Sequence, residues 1–200
     1  KERIVEKFIE WKNSTVSKIH ADEKERKKFR EKKGIYKKFI EECFPISYWA
    51  EASSDPKSGI SLKIGNQKYD ALLRETPKST VYIEVTQAII GGSEGGHKNA
   101  MLDRYLNKFG SAPGTTNLSP KEIKDSVARG NKVPIDAINV GDEQDRLLSE
   151  IKNRLKSKNS IEYHPDTILL ISVDDWLIKS DEMEEAIRSS ICRLTTRFKE

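Results

Sequence analysis

Two carboxylates, Asp70 and Glu84, lie in segments whose residue types are typical of β-strands. Glu84 interrupts the β-branched and aromatic run of residues 81–86, and Asp70 follows the turn of a predicted hairpin. Side chains alternate between the two faces of a strand, and the two segments are predicted to pair, so the carboxylates can converge on one sheet surface. A hard divalent cation takes oxygen ligands, commonly one or two carboxylates completed by water and a phosphate. The pattern therefore predicts a site for Mg²⁺ or Mn²⁺ held by Asp70 and Glu84.

Each of these carboxylates also has an ordinary structural explanation. Asp70 follows a turn, where acidic residues are common, and Glu84 can pair with a lysine elsewhere in the fold. Taken singly, each residue favours that explanation. Only the pair favours a metal site.

The predicted elements run in the order helices, three strands, helix, loop, helix, strand and helix, which is typical of a mixed α/β fold. Helical spacing of apolar residues and period-two alternation place them along the chain. The first helix is predicted at 2–12, a second helix starts from an N-cap at Asp22, and a third at 35–43 ends before Pro45. A hairpin at 60–73 and a strand at 81–86 follow, and then a helix near 100–106 and a short helix that starts from a capping box of Ser119 and Glu122. The last elements are a helix from Asp142 to Leu155, a strand at 167–173 and a helix at 183–198.

The order of a helix, a hairpin, Asp70, thirteen intervening residues and the strand Ile83-Glu84-Val85-Thr86 resembles the PD-(D/E)XK, or restriction-endonuclease-like, superfamily. The resemblance covers about residues 35–175, since the later helix and buried strand are also similar to that family. It implies a mixed central sheet flanked by helices, here with extra N-terminal helices. It also implies a Mg²⁺-dependent nuclease that hydrolyses phosphodiester bonds in DNA or RNA, in a restriction or defence system or a mobile element.

The resemblance assigns roles to three carboxylates. In that family an Asp and a Glu bind the metal, a Lys two residues after the Glu orients or activates water, and a Glu on the first core helix completes the site. Asp70 and Glu84 match the metal positions. Glu42 matches the accessory carboxylate better than Glu41, because Glu42 lies nearer the apolar stripe of its helix.

Two positions depart from the family signature: Tyr69 stands in place of the Pro, and Thr86 in place of the Lys. The second departure removes a cation and leaves Gln87 adjacent, facing the opposite side of a regular strand. Lys98, which begins the helix after the glycine-rich stretch, is the nearest lysine along the chain that could replace it. The alternative is that Lys98 is an ordinary solvent-exposed lysine. Without a replacement cation, activity is expected to be weak or lost.

The size and composition favour one domain, read as an N-terminal helical extension at 1–33 and an α/β core at 34–200. The chain has 200 residues, of which 36% are hydrophobic. Cys43 and Cys192 are too few for a cysteine-built zinc site or a disulfide framework. No apolar run approaches the length of a membrane helix, so a cytoplasmic location and no membrane partner are expected.

Basic residues crowd into the stretch 24–38, while the net charge of the whole chain is only +4. This bias permits binding to nucleic acid, with DNA the expected partner, but a solvated charged helix is the alternative. No aromatic-rich platform for single strands stands out, so any such binding is expected to be mainly electrostatic. The N-terminal helices also predict a homodimer or a larger protein partner.

Two further functional interpretations remain open. In one, the fold persists without catalysis, and a degenerate nuclease module binds nucleic acid or a protein partner. In the other, the chain is a plain interaction domain whose charged N-terminal helices dock on a partner, and Asp70 and Glu84 are incidental.

Overall fold

The computed structural model describes residues 1–30, 32, 34–63, 67–89, 118–131, 140–173 and 181–194. Its elements alternate helices and strands in the order expected of a mixed α/β fold. They are β1 (Arg3–Ile4), α1 (Val5–Ala21), α2 (Glu23–Arg30), α3 (Ile35–Lys38), a π-helical segment (Phe39–Cys43), α4 (Phe44–Ser53), β2 (Gly59–Leu62), β3 (Ala71–Thr76), β4 (Ser79–Gln87), α5 (Pro120–Ala128), α6 (Val140–Asn159), β5 (Thr167–Ser172) and α7 (Asp181–Leu194).

The chain divides into two compact units. The first comprises Lys1–Gln87, Arg154–Ser172 and Ile191–Glu200, and the second comprises Ala88–Asn153 and Val173–Ser190. The boundary predicted between residues 33 and 34 is not one of these divisions and stays a prediction. No helix in the described part of the chain is both long and apolar enough to cross a membrane.

All five described strands belong to the first unit and form one sheet in the order β1-β2-β3-β4-β5. The first three pairings are antiparallel, and β4 pairs with β5 in parallel. The pairing of the predicted hairpin strands, the strand containing Glu84 and the later strand are therefore confirmed, although Thr167 is the only buried residue of that later strand. β4 is an internal strand with a partner on both sides, which suits its run of β-branched and aromatic residues.

The core of the first unit joins the N-terminal helix to the sheet. Phe8 from α1 and Ile46 from α4 lie in one apolar cluster with Ile60, Leu73 and Ile83, which come from β2, β3 and β4. Each of these side chains is at most 1% exposed. Burial of a side chain of this size stabilises a fold by about 1.5–3 kcal/mol, so α1 is held firmly against the sheet.

The start of the chain differs from the sequence-based expectation. A helix was expected from residue 2, but Arg3 and Ile4 extend and pair with Ile60 and Gly59 at the edge of the sheet. Helix α1 begins only at Val5, whose amide donates a hydrogen bond to the Ser58 carbonyl at 2.9 Å. Local spacing could not predict this strand, because two residues carry no alternation of their own.

The sequence predicts that the third helix ends before Pro45, and this prediction is wrong. The helix continues through Pro45 to Ser53. Proline lacks an N–H, and its ring clashes with the carbonyl four residues earlier in a regular α-helix. Here the preceding turn is π-helical, and the Phe44 amide donates to the Phe39 carbonyl five residues back. The wider turn gives the proline ring room, so the helix bypasses its expected terminator.

The predicted helix caps are confirmed where the structure describes them. The Asp22 carboxylate accepts hydrogen bonds from the amides of Lys24 and Glu25, at 2.8 and 3.0 Å, and so starts α2. In the second unit, the Ser119 amide and hydroxyl both donate to the Glu122 carboxylate, at 2.7 and 2.6 Å, which forms the predicted capping box of α5.

The second unit buries Ile123 from α5, Leu147 and Ile151 from α6, and Met183 from α7. These positions follow the helical apolar stripes of the sequence. Several predicted features lie outside the described residues: the hairpin turn at Gly65-Asn66, the glycine-rich stretch, the helix near 100–106 and the far end of the last helix.

Candidate functional site

Asp70 lies immediately before β3 and is fixed by both its backbone and its carboxylate. Its amide donates to the Ile83 carbonyl at 2.7 Å, and its carbonyl accepts from the Lys63 amide at 2.7 Å. The carboxylate Oδ2 accepts a hydrogen bond from the Val85 amide at 2.8 Å. The side chain therefore takes the place of a backbone acceptor at the end of the β3–β4 ladder, which holds it against β4.

Glu84 lies on β4 beside Asp70. The register pairs Ala71 with Ile83, so its continuation brings Asp70 next to Glu84. Glu84 is buried, at 8% exposure, and its side chain alternates away from the core residue Ile83. The two carboxylates that the sequence singled out are thus brought together at the point where β3 leaves β4.

The pKa of Glu84 is raised above its ordinary value. Burial is the main cause, and the negative charge of Asp70 adds to it, whereas the hydrogen bond and the charge of Lys158 act in the opposite direction. A carboxylate whose charge is this costly to bury has a strong affinity for a nearby cation. The environment of Glu84 therefore favours a positively charged ligand or partner.

Lys158, in the last turn of α6, supplies such a partner. Its ammonium donates a hydrogen bond to Glu84 Oε1 and forms an ion pair with it, and the lysine side chain is only 21% exposed. The alternative explanation for Glu84 was that it pairs with a lysine elsewhere in the fold, and this contact is such a pair. One feature of the sequence indicates a buried partner for Lys158. Position 158 continues the apolar stripe of Ile151 and Leu155, where an apolar residue would be expected.

Tyr163 also faces this cluster. Burial, followed by the negative charge of Glu84, raises the pKa of the Tyr163 phenol to about 12. The negative charge of Asp70 contributes to the same rise. At neutral pH the phenol is therefore protonated and uncharged. Nothing in the local sequence marked Tyr163, which lies in the turn between α6 and β5.

Glu42 lies in the π-helical segment and senses both carboxylates. Burial raises the pKa of Glu42, the charge of Asp70 raises it further, and Lys38 opposes the rise. The Lys38 ammonium lies 3.8 Å from Glu42 Oε1, whereas neighbouring Glu41 pairs instead with Lys32 at 3.6 Å. Of the two glutamates weighed for the accessory position, Glu42 is thus the one beside the site. Wide turns of this kind are often found at functional positions.

The residues fit a cation held by two protein carboxylates rather than three. Within the described ranges, no three His, Cys, Asp or Glu side chains are grouped so that they could hold a metal ion. Asp70 and Glu84 remain a suitable pair, because Mg²⁺ commonly takes one or two carboxylates and completes its shell with water and phosphate. Glu42 is near enough to influence the pair electrostatically without joining it as a ligand.

The remaining predicted site residues are less closely involved. Thr86 follows Glu84 on the same face of β4, and Gln87 is the last residue of that strand and pairs with Ser172. Neither supplies a positive charge. Lys98 lies outside the described residues, so its role stays a prediction.

Ionisation of Glu42 gives a prediction about stability. Because its pKa is raised in the folded state, the folded chain holds this proton more tightly than the unfolded chain does. Stability from this group is therefore present at low pH and is lost as pH rises from the ordinary Glu value, about 4.3, through the folded pKa. Glutamine at position 42 cannot ionise. We therefore expect Glu42→Gln to melt at the same temperature as the wild type near pH 4, and at a higher temperature than the wild type near pH 7.

The matched control is Glu41→Gln, which removes the neighbouring charge that pairs with Lys32. Thermal melts of the wild type and both variants at the two pH values provide the measurement. An equal melting temperature of Glu42→Gln and wild type near neutral pH would contradict the electrostatic picture of the cluster.

Comparison of the chain with protein-family models, curated proteins and solved structures yields no match.

Proposed function

We propose that this chain is a divalent-metal-dependent nuclease of the PD-(D/E)XK type, which hydrolyses phosphodiester bonds in DNA or RNA. The observation that carries the proposal is the convergence of Asp70, Glu84 and the Lys158 ammonium at the end of the β3–β4 ladder. Two carboxylates and a lysine are the groups that the family signature brings together. The antiparallel β2–β3–β4 strands, joined in parallel to β5 after a long helix, are compatible with such a fold.

In this proposal Asp70 and Glu84 hold Mg²⁺ or Mn²⁺. When bound, the cation neutralises charge on the phosphate and lowers the pKa of water. The Val85 amide holds the Asp70 carboxylate in one orientation, so less side-chain entropy is lost on binding. Burial of Glu84 strengthens its electrostatic attraction to a cation.

Lys158 takes the role that the signature gives to a lysine at the position of Thr86. Its hydrogen bond opposes the rise that burial causes in the pKa of Glu84, and so favours the charged form that binds a metal. An ammonium has three N–H donors, and the contact with Glu84 uses one of them. The others can donate to a phosphate oxygen or to the attacking water, where negative charge develops during hydrolysis.

One observation favours a second candidate function, a degenerate module that binds nucleic acid or a protein without cleaving. The Lys158 ammonium already neutralises Glu84 within the chain. A fixed internal cation can replace the metal that an active site would need, in which case the cluster serves stability alone. The two candidates differ in whether the carboxylates bind a metal ion at millimolar concentration.

Thermal denaturation with added Mg²⁺ or Mn²⁺ tests the proposal. A ligand that binds only the folded chain stabilises it by about 2.7 kcal/mol at 100 times its Kd, so we expect a saturable rise in melting temperature. We expect Asp70→Asn to remove this rise. The matched control is Asp22→Asn, which replaces another carboxylate that accepts backbone amides and caps a helix distant from this site in sequence. No rise in the wild type would favour the second candidate.

A further inference from the structure

Three aromatic rings from separate segments stack beside the candidate site. Tyr69 precedes β3, Tyr82 lies on β4, and His164 lies in the turn before β5. The ring centroids of Tyr69 and Tyr82 are 5.0 Å apart in an edge-to-face arrangement. Those of Tyr82 and His164 are 4.3 Å apart with planes tilted by 35°. No local pattern indicated this cluster, because its members are spread over nearly a hundred residues.

The stack lies beside the carboxylates along two short stretches of chain. Tyr82 and Glu84 are two residues apart on β4, so their side chains leave the same face of the strand. Successive residues on one face of a strand are about 7 Å apart. His164 directly follows Tyr163, whose phenol lies within electrostatic reach of Glu84. One nucleotide step spans a comparable distance, so a base and its own phosphate can reach the two sites together.

The backbone holds the His164 ring in place. The Tyr82 amide donates to the Asp166 carbonyl at 2.9 Å, and the Thr167 amide donates to the His164 carbonyl at 3.0 Å. The Asp166 amide donates to His164 Nδ1 at 3.1 Å, which fixes the orientation of the imidazole. Preorganised rings lose little conformational entropy when they bind a ligand.

The His164 side chain is nevertheless 48% exposed. Tyr82 covers one face of the ring, and the Asp166 backbone covers the Nδ1 edge. In the described part of the chain, Tyr82 is the aromatic ring that contacts His164, so the exposed part of the imidazole can continue the stack. A flat, polarisable ring at the end of an aromatic stack, beside the carboxylates of the proposed metal site, is suited to a nucleobase.

We propose that the outer face of His164 binds an unpaired nucleobase, so that the chain prefers single-stranded nucleic acid or a frayed end. The proposal rests on the proposed nuclease function and deepens it by naming the substrate class. In a duplex the faces of the bases are occupied by their neighbours, and stacking on a protein ring requires a splayed or single strand. The stacking contribution adds to the electrostatic binding expected from the basic stretch 24–38.

The experiment measures binding of a fluorescent oligothymidylate of about 12 nucleotides by anisotropy, with EDTA present so that no cleavage occurs. An abasic strand of equal length serves as the comparison. We expect the wild type to bind the base-bearing strand at least about fivefold more tightly than the abasic one. We expect His164→Ala to lose most of that preference and His164→Trp to keep it, since indole also stacks.

The matched control variant is His20→Ala, which removes another exposed histidine that contacts an aromatic ring, Phe29. It should bind both strands as the wild type does. Equal binding of the two strands by the wild type, or an unchanged preference in His164→Ala, would overturn the proposal. Because EDTA removes any metal, a preference found together with inactivity would overturn only the nuclease function, so the two failures are distinguishable.

Discussion

Asp70→Asn and Glu84→Gln are each expected to abolish Mg²⁺-dependent cleavage, with a loss of at least about 100-fold in rate. Each substitution keeps the size of the side chain but removes the negative charge that would hold the cation. Asparagine at position 70 retains an oxygen that can accept the hydrogen bond from the Val85 amide, so the local backbone should be preserved. The measurement is a time course of cleavage of a labelled strand with and without Mg²⁺.

Two controls separate a lost metal site from a lost fold. Circular dichroism and urea denaturation should show that Asp70→Asn remains folded. Glu84→Gln leaves the Lys158 ammonium without its carboxylate, so its free energy of unfolding should be measured as well. Asp22→Asn, purified in parallel, should cleave like the wild type. Cleavage that survives both active-site changes, in protein freed of contaminating nuclease, would exclude the proposed mechanism.

Lys158→Gln is expected to lower the cleavage rate by about 100-fold, comparable to the loss of a positioned charged donor in other active sites. We also expect Thr86→Lys to restore part of the activity when it is combined with Lys158→Gln. Thr86 lies one step beyond Glu84 on the same face of β4, where the family signature has its lysine. Thr86→Lys alone should gain little, because Lys158 already supplies a cation. Initial rates for the wild type, both single variants and the double variant form a complete cycle.

Lys156→Gln is the matched control for this cycle, since Lys156 is an exposed lysine in the same turn of α6. Removing Lys158 also leaves a buried carboxylate without its charged donor, at a cost of about 1–3 kcal/mol in the free energy of unfolding. Rates should therefore be compared at a temperature where every variant is folded. A Lys158→Gln variant that cleaves normally would show that Lys158 is only a structural partner of Glu84. Lys98 would then be the candidate for the cation that the family signature places at position 86.

The elements that local residue patterns could predict are those whose partners are close in sequence. Alternation identified the hairpin and β4, and the phases of Asp70 and Glu84 followed from it. The cap at Asp22 and the box of Ser119 and Glu122 were equally local, because a cap involves residues within one turn. The choice of Glu42 over Glu41 depended on the phase of one helix.

The rest of the candidate site depends on contacts that no short window contains. Lys158 meets Glu84 across 74 residues, and their meeting requires both the parallel pairing of β4 with β5 and the helix that precedes β5. A lysine on an apolar stripe signals a buried partner but does not name it. Tyr163 and His164 likewise reach β4 only through that pairing. Local sequence therefore indicates Lys98, the nearest lysine along the chain, rather than Lys158 as the replacement cation.

The π-helical segment also fixes the rotational phase between α3 and α4. A π turn is equivalent to a single-residue insertion in an α-helix, and each α-helical residue turns the chain by about 100°. Phe39 and Ile46 both lie in the core, with the wide turn absorbing the extra residue between them. Deleting one residue here would restore a regular helix and would leave both side chains facing the core. The contact of Tyr36 with Glu25 on α2 would also be kept. A single-residue deletion between Phe39 and Cys43 should therefore preserve the packing of α3 and α4, and what it would remove is the room that the wide turn gives the ring of Pro45.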